Sequence, residues 1–475
     1  MATTNDKESF RDHIGTITEE GKRKWIYPKK PSGRFYKYRT YVSYILLAFL
    51  FLGPHLHKIF GLDHPLFLFD VINRKFILFG QVFWPQDFHL FAFIMITMII
   101  FIVLFTVVFG RIFCGWVCPQ TIFMEMVFRK IEYWIDGDYK QQMKLAKQEW
   151  NAEKIKKRVL KHSIFWIVSF IIANTFLAYI IGADKLWEIQ TDNPKNHIGG
   201  LITLIAFTTV FYFIFSWFRE QVCIIACPYG RLQGVMIDRN TIVVAYDYKR
   251  GEPRGKFRKN EDRKAAGKGD CIDCKQCVDV CPTGIDIRNG TQLECINCTA
   301  CIDACDFMME KVGLPKGLIR YDSEAHIAEG KKSLLTTRVK GYIAVLIALI
   351  GIIVYLFTLR GDVEATILRA PGSLYTQVDD NHISNIYTFN VVNKSNEPID
   401  VHYELVEPKG ELKLTGQDKI HLEVGEEKSG SFLIILDKKD VTKHKLPVKV
   451  NVVSNGKVEE TLTVTFLGPF GNEFK

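Results

Sequence analysis

The sequence predicts a polytopic α-helical membrane protein with five transmembrane helices, a small cysteine-rich α+β module inserted between the fourth and fifth, and a β-sandwich at the C-terminus. Three observations carry this. Five apolar stretches of about 20 residues are each long enough to cross a hydrocarbon core of roughly 30 Å. Eight of the 12 cysteines fall between Cys271 and Cys305. Beyond residue 361 there is no cysteine, and the pattern changes to short alternating or β-branched runs separated by turn residues. A chain that is 48% hydrophobic and 24% charged must keep the two kinds of residue in separate segments.

Residues 1–39 are polar and end in the basic, aromatic run K-R-K-W-I-Y-P-K-K-P-S-G-R-F-Y-K-Y-R. They read as a cytosolic juxtamembrane segment with no cleavable signal, its Trp25, Tyr27, Phe35, Tyr36 and Tyr38 at the interface and its cations toward anionic lipid. The apolar stretches lie near 40–60, 88–110, 162–182, 198–218 and 340–359. Only a helix can satisfy its own backbone as an open segment in lipid, so each is read as a span; Gly53 and Pro54 interrupt the first.

Lys and Arg number ten in residues 1–39 and eleven in 111–161, against two in 61–87 and two in 183–197. The positive-inside rule then places the N-terminus, 111–161 and 219–339 in the cytoplasm and the C-terminus outside. This placement accounts for the net charge of +9 without nucleic acid. The expected domains are a cytosolic segment 1–39, a four-helix membrane core 40–240, a cytosolic module with linkers 241–339, a fifth span 340–360 and an outer domain 361–475.

Within 111–161, mixed charges at helical spacing suggest an amphipathic surface helix leading to the third span. The Gly-rich, charged run Y-K-R-G-E-P-R-G-K-F-R-K-N-E-D-R-K-A-A-G-K-G-D reads as a flexible or surface-hugging linker. Runs such as N-I-Y-T-F-N-V-V-N, S-F-L-I-I-L and T-L-T-V-T-F suggest an immunoglobulin-like sandwich without its disulfide. His55, His57, His64 and His89 near the outer face could collect a metal or contact haem or quinone, although isolated interfacial histidines are usually solvated.

The cysteine block reads C-I-D-C-K-Q-C-V-D-V-C-P, twelve residues, then C-I-N-C-T-A-C-I-D-A-C-D. Each half has three thiols at steps of three residues and a fourth after a step of four, the run that wraps a 4Fe-4S cluster in bacterial ferredoxins. The fourth cysteine of each run reaches the other cluster. Cys271, Cys274, Cys277 and Cys305 should hold one 4Fe-4S cluster, and Cys295, Cys298, Cys301 and Cys281 a second. Structural zinc would leave the third cysteine of each run and the Pro282 after Cys281 unexplained. The second half has Asp306 where the first has Pro282.

The other four cysteines form two copies of C-x-x-x-C-P, in G-R-I-F-C-G-W-V-C-P-Q and R-E-Q-V-C-I-I-A-C-P-Y-G-R, each where a span meets the cytoplasm. Cys114 and Cys118, like Cys223 and Cys227, should lie on one face of a helical turn that the following proline ends or kinks. The duplication suggests that the four thiols converge. Buried small hydrophobes are the commonest fate of free cysteine; the repeated spacing points instead to chemistry. Copper(I) binding, dithiol cycling and a further iron-sulfur centre all remain open on residues alone.

The chain resembles the CcoG family, also called FixG or RdxA. The likeness rests on F-W-P-Q-D-F at 83–88, the two C-P motifs, R-G-E-P-R-G at 250–255, C-P-T-G-I-D-I-R at 281–288, G-L-I-R-Y at 317–321 and the C-terminal sandwich. The resemblance implies a protein of the bacterial inner membrane that reduces Cu(II) to Cu(I) for assembly of the copper centre of cbb-type cytochrome c oxidase. It implies two 4Fe-4S clusters and makes Cys114, Cys118, Cys223 and Cys227 the copper or redox thiols. Expected partners are membrane lipid, the oxidase or its copper chaperones, and an unidentified cytosolic electron donor; a homodimer is left open. The alternatives are a quinol-oxidising NapH-like subunit and a non-catalytic redox-sensing scaffold.

Overall fold

The computed structural model describes residues 16–17, 20, 22–61, 65–70, 75–78, 81–83, 88–259, 261–359, 361–372, 374–395, 397–415, 419–454 and 456–469. His64 and residues 84–87 of F-W-P-Q-D-F lie outside them. The chain divides into two compact units, Met1–Ile352 and Ile353–Lys475.

Among the described residues, five helices are long and apolar enough to span a membrane: Arg34–Phe60, Phe88–Phe109, Ala152–Ile181, Ile198–Phe218 and Thr337–Thr358. Protein covers little of their apolar windows, from 28% in the third to none in the fifth, so lipid is the natural cover for the rest. Gly53 and Pro54 tighten the first span into a 3₁₀ turn at Gly53–His55 without ending it.

The first span begins at Arg34 rather than residue 40, because another element caps it. Gly33 offers no capping side chain, and the Asp303 carboxylate accepts the free N–H groups of Phe35 (3.1 Å) and Tyr36 (2.8 Å). A Cβ on Gly33 would collide with Asp303, so glycine permits the approach. The membrane helix is thereby fastened to the cysteine-rich module.

Residues before it depart from the juxtamembrane expectation. They form a strap between that module and the helices after the second span: Lys29 N–H donates to the Asp279 carbonyl (2.7 Å), Lys30 N–H to Asp138 (2.9 Å), and Tyr133 Oη to the Pro28 carbonyl (3.1 Å). Trp25 packs beneath the guanidiniums of Arg23 (4.5 Å) and Arg219 (4.9 Å) in cation-π contacts that hold the strap to the end of the fourth span.

The surface helix expected in 111–161 is broken into pieces. A continuous helical run from Pro119 to Ile135 contains a widened π turn at Phe123–Phe128, and a separate helix, Tyr139–Lys147, is opened by an Asp138/Gln141 capping box. The third span then starts ten residues early at Ala152, capped by Asn151. Loop 61–87 also holds more than a connection, since Phe67–Asp70, Lys75–Leu78 and Gln81–Phe83 form an antiparallel sheet that buries Ile77 and Phe83.

A buried ion network ties these parts together. Arg219 donates twice to Glu132 (2.7 and 2.8 Å), and Lys161 of the third span reaches Asp136 (2.6 Å). Arg129 lies between Glu125 (3.3 Å) and Glu220 (3.7 Å), and Arg23 of the strap also meets Glu220 (3.3 Å). Arg219 has φ 54°, which only a well-determined site would hold in a non-glycine residue. Its guanidinium, with help from Lys161 and Arg129, outweighs the burial penalty and brings the Glu132 carboxyl down to about 2.

Glu132→Gln should therefore lower unfolding stability by about 3–5 kcal/mol, measured by thermal unfolding in detergent at pH 7. A folded-state value below the unfolded one makes this stabilisation complete above about 4.5 and lost as pH falls toward about 2. The wild-type and variant curves should converge in that acid window.

The second unit is the expected sandwich. One sheet runs Gly410–Leu414, Glu427–Asp437, His382–Asn393 and Val363–Arg369, with Thr376–Gln377 added on the His382 strand; the other runs Ile420–Leu422, Ile399–Glu407, Lys445–Ser454 and Lys457–Leu467. Val391, Val401, Phe432, Val450 and Phe466 fill the core that a disulfide would otherwise cross. Asn385 clamps the last strand through its amide donating to the Leu467 carbonyl (2.9 Å) and its oxygen accepting the Leu467 N–H (3.1 Å).

Candidate metal centres

The module between the fourth and fifth spans is closed by a two-stranded antiparallel sheet, Val243–Tyr246 with Ile319–Asp322. Around it the cysteine block folds with internal symmetry. In both halves the residues two and four after the first cysteine are left-handed: Asp273 and Lys275 (φ 51° and 56°), then Asn297 and Thr299 (φ 53° and 66°). Asp and Asn tolerate this region, whereas Lys and especially β-branched Thr do so at a cost that marks a functional loop.

The structure groups the eight thiols in a way compatible with crossed ligation. Cys305 lies in electrostatic reach of Cys277, Cys274 and Cys271, and Cys301 in reach of Cys298, Cys295 and Cys281, with Cys277 after them. Cys281, Cys295, Cys298 and Cys301 line a small cavity that Cys277 also touches, otherwise walled by groups such as Val244, Ile285 and Ile287. Burial pushes Cys277 and Cys295 up to about 12 and Cys298 to about 11, and neighbouring thiols of the same group add to the shift. Four soft ligands that disfavour one another's charge, around an apolar void, fit a multinuclear iron-sulfur group whose metal charge would offset that repulsion. Among the described residues no three His, Cys, Asp or Glu could hold a single metal ion.

The Pro282/Asp306 asymmetry has a simple cause. Cys281 ends a short turn, and proline can follow it. Cys305 lies within the helix Ala300–Lys311, whose interior excludes proline, and Asp306 there accepts the Gly317 N–H (2.8 Å). The Gly-rich stretch after Tyr248 is not a free linker. Arg263, 7% exposed, donates to the carbonyls of Gly255 (3.2 Å), Gly269 and Cys271 (3.0 Å), and Gly255 N–H donates to the Cys271 carbonyl (3.1 Å). It forms a pinned loop over the first thiol group.

The two C-P motifs share one geometry. Cys118 N–H donates to the Phe113 carbonyl (2.9 Å) and Cys227 N–H to the Val222 carbonyl (2.7 Å), each bond spanning five residues. The second cysteine of each motif leaves the helical region (Cys118 ψ 124°, Cys227 ψ 112°) and stands at the N-cap. Pro119 and Pro228 therefore open the next helix, where a missing N–H costs nothing, instead of ending the previous one. Residues four apart do not share a helical face here, because the second is outside the helix.

The four thiols nevertheless come together. Cys223 is in electrostatic reach of Cys118, Cys114 and Cys227. Burial pushes Cys114 up to about 11 and Cys223 to about 12. Burial also raises Cys118, but the N–H groups of Thr121 and Gln120 at the following helix N-terminus draw it back.

Sequence reasoning missed the groups around them. Gln233, fully buried, meets Cys114 Sγ at 3.4 Å, and Thr121 faces both Cys118 and Cys223. Arg111 donates to the carbonyls of Leu293 and Gly230, placing its charge near Cys114 and Cys295 together. The only signals were G-R before the first motif and the G-R-L-Q after the second.

This quartet lies against the second thiol group of the module. A Cβ on Gly115 would collide with the Ile296 carbonyl, one residue from Cys295. Arg39 Nε donates to the Gly115 carbonyl (2.6 Å), and Trp116 Nε1 to Tyr321 Oη (3.0 Å), which in turn donates to the Asn297 carbonyl (3.2 Å). Thr121 and Cys223 share the lining of one small pocket with Thr283 and Ile296 of the block, beside Glu125 and Glu220. His55, His57 and His89 enter no such cluster.

Family models agree with this division. A 4Fe-4S dicluster domain matches residues 218–324, a 4Fe-4S binding domain matches 91–138, and the IG-like fold at the C-terminal of FixG matches 353–469. The fold and site define a membrane iron-sulfur protein of the electron-transfer class. Among curated relatives, Protein RdxB of Cereibacter sphaeroides is 36% identical over 80% of this chain and 81% of its own. Protein RdxA of the same organism is 37% identical over 78% and 80%, and nitrogen fixation protein FixG of Rhizobium meliloti is 38% identical over 63% and 57%. The chain belongs to the FixG/RdxA family.

Proposed function

We propose that the chain reduces Cu(II) to Cu(I) at Cys114, Cys118, Cys223 and Cys227, in the service of assembling the copper centre of a cbb-type cytochrome c oxidase. The observation that carries this reading is the convergence of the four thiols directly against the second group of the cysteine block. The eight cysteines of the block would hold iron-sulfur clusters, which when bound would supply single electrons. Each copper ion takes up one electron, and soft thiolates favour the product Cu(I) over Cu(II).

No three of the thiols could hold one ion together, so the reading assigns copper to a pair. Cys118 and Cys227 are that pair: they lie in electrostatic reach of each other and occupy equivalent N-cap positions in the two motifs. Arg111 and Gln233 position Cys114 and steady the wall toward Cys295. The Lys and Arg distribution supports a cytoplasmic module and a periplasmic sandwich in the bacterial inner membrane, with copper passed on to a chaperone or to the oxidase.

The test is a chelator assay. Protein purified anaerobically and charged with dithionite, then freed of it, should convert Cu(II) to a chelated Cu(I) complex and leave an added quinol unoxidised. Quinol oxidation without copper reduction would replace this reading with a quinol-linked one, and no turnover of either would leave a scaffold.

A further inference from the structure

The thiol group formed by Cys271, Cys274, Cys277 and Cys305 is the one farther along from the C-P turns, which pack on Ile296 and Asn297 beside the other group. Its outer cover is the loop that Arg263 pins to the Cys271 carbonyl. That loop presents Arg254, Lys256, Arg258, Lys259 and Lys264 to solvent, with Phe257 41% exposed among them. Arg254 pairs with Glu252 (2.6 Å), and Glu261 is taken by Lys268. Among the described residues, Lys256, Arg258, Lys259 and Lys264 have no ion-pair partner.

We propose that this loop is the docking face for a small acidic one-electron carrier, of the flavodoxin or 2Fe-2S ferredoxin kind, which delivers electrons at the Cys271 group. Unpaired cations around one exposed aromatic ring match what an acidic redox partner offers in return: long-range steering by charge and a short-lived apolar contact at the centre. The buried Arg263 holds the loop through carbonyls that include that of Cys271, and Gly255, two residues before Phe257, donates its N–H to the same Cys271 carbonyl (3.1 Å), so a carrier seated on Phe257 meets a segment bonded directly to the thiol-bearing backbone. In the transfer the carrier loses one electron and a cluster at the Cys271 group gains it, with no bond made or broken. Anionic lipid is the competing occupant. It is disfavoured because the loop's anchoring bonds go to the Cys271 group, whereas the turns at the span ends bind the other. The inference rests on the electron-transfer class alone and not on copper.

The test uses the full chain in nanodiscs of zwitterionic lipid, an acidic flavodoxin as probe, and the variant Lys256→Glu, Arg258→Glu, Lys259→Glu, Lys264→Glu. Oxidised flavodoxin should bind the wild type and lose at least about tenfold in affinity between 20 and 300 mM salt. Its reduced form should bleach the cluster absorbance at a rate that the variant lowers by about 10- to 100-fold at low salt. Iron content, the extent of bleaching by dithionite and Cu(II) reduction by dithionite-charged protein should be the same in both, which separates failure here from failure of the copper reading. Equal binding and equal rates in the two proteins would overturn the proposal. So would a difference that appears only in nanodiscs containing anionic lipid.

Discussion

Cys118→Ala combined with Cys227→Ala should lower Cu(II) reduction by at least about 100-fold while the 4Fe-4S absorbance stays at its wild-type strength. These two sulfurs occupy equivalent N-cap positions in the duplicated motif, one on each side of the quartet. Removing them deletes the proposed copper pair but leaves Pro119 and Pro228 to start their helices and Gly115 to seat against Ile296. Cys114→Ala should have a smaller effect, since that thiol is held off by Gln233 and raised by burial. The assay is initial rate of chelated Cu(I) formation, with iron analysis of the same samples.

The second large effect concerns crossed ligation. Cys281→Ser should reduce bound iron from about 8 to about 4 per chain, because Cys281 stands with Cys295, Cys298 and Cys301. Electron paramagnetic resonance of the reduced variant should match that of Cys295→Ser and differ from that of Cys274→Ser. A spectrum matching Cys274→Ser would mean that each run closes its own cluster. Cys305→Ser should behave in the mirror sense, with the Cys271 group lost.

The parts of this molecule that were readable from sequence are those with a short period or a fixed spacing. Steps of three residues between thiols, about 20 residues per span and alternation in the sandwich are all local patterns. Even the repeat of C-x-x-x-C-P was enough to suggest that its thiols meet. What escaped depends on partners far along the chain. Asp303 caps a helix that starts at Arg34, and nothing near either residue announces the other.

Arg263 looked like one cation among many in a Gly-rich stretch. Its burial against three carbonyls turns an apparent linker into a built surface. Trp25 carried an interfacial signal, and its stacking under two guanidiniums, one of them far along the chain at Arg219, was not legible beside it. The prolines were read as helix ends because the pattern places them after a span; the same residue is equally suited to the first position of a helix, and only backbone geometry distinguishes the two.

Copper reduction at the quartet is tested most directly by a single turnover. Protein charged with dithionite and freed of excess reductant is mixed with Cu(II) and frozen at intervals, and the Cu(II) and reduced-cluster resonance signals are integrated together. The two should disappear in step, one copper for each cluster electron, and the Cys118→Ala, Cys227→Ala protein should retain both signals. Cluster oxidation with the Cu(II) signal intact, or copper loss that proceeds equally in the variant, would contradict the assignment.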